Sequence, residues 1–229
     1  MKRAPILSAS LAVIASVVLA GSVMAAPFMN GSFEQGTDPG AFTQVNPGQT
    51  NITGWTVNVA VDYIGTYWPA PDGVRSIDMN ASPSEGSISQ AFDTTVNSTY
   101  TVQFLMSGNP NCGAGDKTMT VQATGGPTTS YTYTVPSGMN NSNMTWTTEG
   151  YSFRATASTS TLTFTSTTPN SNCGPALDAV TVTETAASGA QCKDGGWATM
   201  VNPDTLAAFK NQGACVSYYA TSGAVPIGN

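Results

Sequence analysis

The chain contains no histidine, and only 9% of its 229 residues are charged. Without histidine there is no Ser-His-Asp triad, no imidazole general base and no His-ligated zinc or iron site. Basic residues are scarce, seven Lys and Arg against 13 Asp and Glu. A nucleic-acid binder needs a basic footprint, and this composition denies it. The Gly-x-Ser-x-Gly nucleophile elbow and the Gly-Lys-Ser/Thr core of a phosphate loop are both missing. Apolar runs are short everywhere except near the start. There, basic Met1-Lys2-Arg3 precedes an apolar stretch from Ile6 to Ala20 and small residues up to Ala26. This reads as a secretory signal peptide over residues 1–26, cleaved after Ala25 or Ala26. The run is short of the roughly 20 residues that span a bilayer. Export to the periplasm or the extracellular space is therefore expected, with no membrane partner after cleavage. Loss of Lys2 and Arg3 moves the net charge from −6 to −8.

What is abundant is Thr, with 33 residues, beside 23 Gly and 14 Pro. Such a composition favours strands and turns over helices. Alternation follows along most of the chain. Trp55, Val57, Val59, Val61 and Tyr63 are apolar at every second position, as are Tyr100, Val102, Phe104 and Met106. Further runs include Met119–Ala123, Tyr131–Val135, Tyr151–Ala155, Leu162 with Phe164, and Val180 with Val182. Each predicts a strand with one buried face, so Trp55 and Tyr63 belong to the core. Several short strands separated by Gly/Pro/Asn turns predict an all-β antiparallel sandwich or jelly roll over residues 27–185. Residues 186–190 read as a linker, and 191–229 as a small terminal segment with one short helix near Pro203 to Asn211. Asn202 or Asp204 would cap that helix and Gly213 would end it.

Four cysteines in an exported chain point to two disulfides. Three pairings exist. Cys112 and Cys173 lie in similar Asn-rich loops followed by Gly, which favours Cys112–Cys173 and Cys192–Cys215. The second pair would staple a segment too small to bury a core alone. A four-cysteine zinc site is the alternative, but it lacks a short Cys-x-x-Cys spacing.

Three blocks stand out together. They are Asn30-Gly31-Ser32-Phe33-Glu34 with Ile52-Thr53-Gly54-Trp55; Val61 to Trp68 with Asp72 to Asp78 and Gly86 to Gln90; and Cys173-Gly174-Pro175-Ala176-Leu177-Asp178-Ala179-Val180. In order and content they resemble the choice-of-anchor C family of bacterial secreted proteins. That family is similar to a plant cell-wall domain family, and both look like galactose-binding-like β-sandwiches. The resemblance covers about residues 27–184. It implies that Glu34 and Asp178 match the acidic positions that share a structural calcium in many sugar-binding modules of this fold, with Asp38 near enough to add an oxygen.

Sugar recognition needs aromatic faces and planar polar side chains. Asp62, Tyr67, Trp68, Arg75 and Asp78 form a dense stretch of both kinds. The turn at Pro69–Gly73 suggests that Tyr67 and Trp68 sit at a loop tip. The expectation is a secreted, non-catalytic module whose partner is a polysaccharide or cell-envelope glycan. The rival is a structural or adhesive protein that uses its sandwich face for protein contacts. A glycosidase would instead need two carboxylates facing each other across a cleft.

Overall fold

The computed structural model describes residues 26–82 and 85–222, so all but the last residue of the expected leader lies outside the described residues. The described residues form eleven strands: β1 (Phe42–Val45), β2 (Thr56–Val59), β3 (Val61–Ile64), β4 (Ser76–Asp78), β5 (Ser87–Asp93), β6 (Thr99–Gly108), β7 (Gly115–Ala123), β8 (Thr128–Val135), β9 (Thr147–Arg154), β10 (Thr159–Ser166) and β11 (Pro175–Thr185). They build two antiparallel sheets. One has the order β1-β3-β4-β11-β6-β9 and the other β2-β5-β10-β7-β8. The predicted all-β sandwich is therefore the observed fold.

The core lies between the sheets because alternate residues of each strand point there. Phe33, Trp55, Tyr63, Ile77, Phe92, Phe104, Phe153 and Phe164 are all buried in it. Phe104 meets Tyr131 and Phe164 edge-on, at centroid distances of 5.2 and 5.3 Å. The run from Trp55 to Tyr63 is not one strand. The chain crosses between sheets at Ala60, so β2 and β3 belong to different layers. The β2–β5 register shifts between Val57 and Val59, and Val59 is left exposed.

The Asn30-Gly31-Ser32-Phe33-Glu34 block is a structural clasp. The Asn30 amide donates to the carbonyls of Gln35 and Thr53 and accepts from Gln35 N. Val180 N donates to Gly31 O at 2.9 Å. A Cβ at Gly31 would fall 1.8 Å from Val180 O, so only glycine permits this approach.

Cys112 is bonded to Cys173, and Cys192 to Cys215. The second disulfide holds a satellite core of Cys192, Met200, Phe209 and Cys215. The stretch expected as a linker runs into a 3₁₀ turn at Gly189–Cys192. The predicted helix is displaced: α1 occupies Gln212–Ser222, not Pro203 to Asn211. Asn202 does accept from Asp204 N and Thr205 N, but it closes a turn that leads back through a Val201–Ala208 bridge. Asn211 is the residue that begins α1, accepting from Ala214 N at 2.8 Å. Gly213, expected to end a helix near Pro203 to Asn211, lies within the first turn of α1. Asn97 pins the segment to the sandwich by donating to Val201 O and to the Tyr219 hydroxyl and accepting from Val201 N.

Candidate functional site

β1, β3 and β4 lie side by side at one end of the six-stranded sheet. Their register aligns Gln44, Asp62 and Asp78 in one row and Phe42, Ile64 and Ser76 in the next. Tyr63 and Ile77 alternate with these and enter the core, so the two rows project from the opposite face. A groove of about 240 Å³ opens over them. Phe42 and Tyr67 form one wall, with ring centroids 5.0 Å apart. Phe42 is 47% exposed. Asn109, Asn111 and Asn172 form the other wall, and the Cys112–Cys173 disulfide ties their two loops together. The Asn111 amide donates to the Tyr67 hydroxyl at 2.9 Å, joining the walls.

The two carboxylates in the floor have different roles. Asp78 is buried and accepts from Asn80 N, Gly174 N and the Asn109 amide, at 3.0, 2.9 and 2.7 Å. Burial still pushes its pKa up to about 7. Asp62 is half-buried and accepts no hydrogen bond from a described residue. Burial raises its pKa to about 6. The nearest buried cation, Lys117, donates to Cys173 O at 2.7 Å, and burial pulls its pKa down.

Of the five expected ligand-binding residues, the groove gathers Asp62, Tyr67 and Asp78. Trp68 is not at a loop tip. It is 2% exposed, donates to the Ser76 hydroxyl at 2.9 Å, and packs on Ile64 and Ala176. Tyr67 and Trp68 are adjacent in sequence, and only Tyr67 reaches the groove. Arg75 is also elsewhere. Its guanidinium donates to Glu34 O, Gly36 O and the Tyr63 hydroxyl, bracing the turn after the clasp. Phe42, Gln44, Asn109 and Asn111 were not foreseen. Phe42 lies in a four-residue strand too short to show alternation, and the asparagines read only as turn residues.

Both carboxylates of the expected calcium pair accept backbone amides. Glu34 Oε1 accepts from Val74 N and Arg75 N, at 2.8 and 2.7 Å. Asp178 accepts from Asp72 N at 3.1 Å and from Ala179 N at 2.6 Å. Asp38 accepts from Gly40 N and closes its own turn. No three His, Cys, Asp or Glu side chains gather as metal ligands among the described residues. These bonds make the two carboxylates anchors of the 72–75 loop, and the charges of Asp72 and Glu34 also reach Asp178. Gly73 has φ +78°, and a Cβ there would fall 2.4 Å from Glu34 Oε1.

The family described as "Protein of unknown function (DUF642)" matches residues 26–183. The chain belongs to that family. No curated protein matches it. Among solved structures it is similar to the TmCBM61 module in complex with β-1,4-galactotriose. The identity is 15%, the TM-score 0.40, and 69% of this chain and 97% of that one are covered. It is similar to CBM35 from Cellvibrio japonicus Abf62 at 17% identity and TM-score 0.38, covering 64% of this chain and 98% of that one. It also resembles part of arabinose-bound MgGH51 α-L-arabinofuranosidase at 13% identity and TM-score 0.45, covering 70% of this chain. The chain spans only about a quarter of that enzyme's length, 26%. These are likenesses of fold.

Proposed function

We propose that this family member is an exported, non-catalytic carbohydrate-binding module acting at a cell envelope or in an extracellular matrix. One observation carries the reading. In the groove, the exposed Phe42 ring and the Tyr67 ring stand beside Asp62, a carboxylate with no hydrogen-bond partner among the described residues. Aromatic faces take the C–H surface of a sugar, and a free carboxylate accepts its hydroxyl protons. The Asn109 and Asn111 amide nitrogens are engaged on Asp78, Tyr67 and each other and stiffen this wall, and the disulfide beside it limits the movement of both loops. Two disulfides among the described residues fit an oxidising destination.

A glycosidase reading fits this pair of carboxylates less well. Hydrolysis needs two carboxyl groups free to act on opposite sides of one bond. Asp78 is closed off beneath three donors, leaving Asp62 alone.

A glycan-array screen of the disulfide-intact protein tests the reading. Binding to one or more glycans is expected. A folded sample that binds none overturns it in favour of the structural or adhesive alternative.

A further inference from the structure

The groove has an electrostatic character that narrows its ligand. No Lys or Arg among the described residues lines it. The buried Lys117 ammonium, hydrogen-bonded to the Cys173 carbonyl, interacts with the charge of Asp78 and not with Asp62, and the Arg75 guanidinium is held on the 34–36 turn. Asp62 therefore faces the groove without a countercharge, and its charged neighbour in register is a second carboxylate, Asp78. The whole chain adds to this bias, with 13 acidic residues against seven basic.

We propose that the groove admits neutral sugar units and turns away uronic acids, with Asp62 as the residue that discriminates, an inference that rests on the glycan-binding reading above. A neutral sugar ring presents hydroxyl donors, which a lone carboxylate accepts in short, charge-assisted hydrogen bonds. A uronic acid brings its own carboxylate into the same space. Two like charges a few ångströms apart in a half-buried groove repel strongly, and no guanidinium fork is present to pair the incoming group. Selection here works through repulsion as much as attraction. At about 240 Å³ the groove is smaller than the roughly 300–1,000 Å³ typical of drug-sized ligands, so one sugar ring fills it and stays close to Asp62.

The test is an array read at pH 8, where Asp62 is ionised. It carries galactose, glucose, mannose and xylose oligosaccharides beside oligomers of galacturonate, glucuronate, mannuronate and guluronate. The wild type is expected to bind neutral glycans only, with a preference of about 100-fold or more over the uronic counterpart. Asp62→Asn keeps the rings and an acceptor oxygen but removes the charge. It should narrow that preference about tenfold, with a melting curve confirming that the variant is folded. Equal binding of uronic and neutral oligosaccharides by the wild type overturns the inference and leaves the glycan-binding reading standing. So does an unchanged preference in Asp62→Asn. A folded wild type that binds neither class removes both.

Discussion

Asp62 and Asp78 are the same residue type, opposite each other on adjacent strands, yet their surroundings divide their work. Asp78 is an internal acceptor for two backbone amides and one side-chain amide. Removing it leaves three donors without a partner in a dry setting. We expect Asp78→Ala to cost about 2–4 kcal/mol of stability and Asp62→Ala to cost less than about 0.5 kcal/mol, compared by urea unfolding. Similar losses in both variants would show that Asp62 is structural after all. The sequence carried part of this division. The alternation that buries Tyr63 also turns Asp62 outward, so its exposure was legible. The three donors on Asp78 were not, because Gly174 and Asn109 come from loops 96 and 31 residues away. Trp68 was misplaced for a related reason. A turn signal after it says that the chain reverses, but not which of two neighbouring aromatics the reversal covers.

At the scale of elements, alternation located the long strands because each has one face in a shared core. It failed at Ala60, where the apolar period continues in sequence while the chain changes sheets. It also had no purchase on α1. That helix is short and its face is set by the Cys192–Cys215 staple, so the cap signals at Asn202 and Asp204 pointed to the wrong stretch and the cap at Asn211 was not foreseen. The groove itself depends on loops, and the Cys112–Cys173 bond is what holds the β6–β7 and β10–β11 loops together. The bond closes a separation of 61 residues, for which the chain-entropy argument gives about 4 kcal/mol. The double variant Cys112→Ser, Cys173→Ser should lower the melting temperature and weaken glycan binding more than tenfold at temperatures where the sandwich stays folded. Intact binding after the bond is lost would detach the groove from the disulfide.

For the whole molecule, buried carboxylates set how stability follows pH. Burial raises Asp62 to about 6, Asp78 to about 7 and Asp178 to about 8. The unfolded chain loses these protons near pH 4. Between those limits the folded state holds protons that the unfolded state has released, so stability falls as pH rises. These groups favour the fold fully below about pH 4, and that contribution is gone above about pH 8. The growing negative charge of an acidic chain acts in the same direction. Differential scanning calorimetry should find a melting temperature several degrees higher at pH 5 than at pH 8. A melting temperature that climbs across that range would mean that the carboxylates are paired or solvated in the folded protein.

The central claim is that the rings over Asp62 hold a sugar. It is tested most directly by titrating the best array ligand into the wild type and into Phe42→Ala by isothermal calorimetry. Phe42 is about half exposed and lies outside the core, so its removal should leave the fold intact. The account predicts binding about tenfold weaker in the variant, with an unchanged melting temperature. Equal affinities in the two proteins would place the sugar somewhere other than this groove.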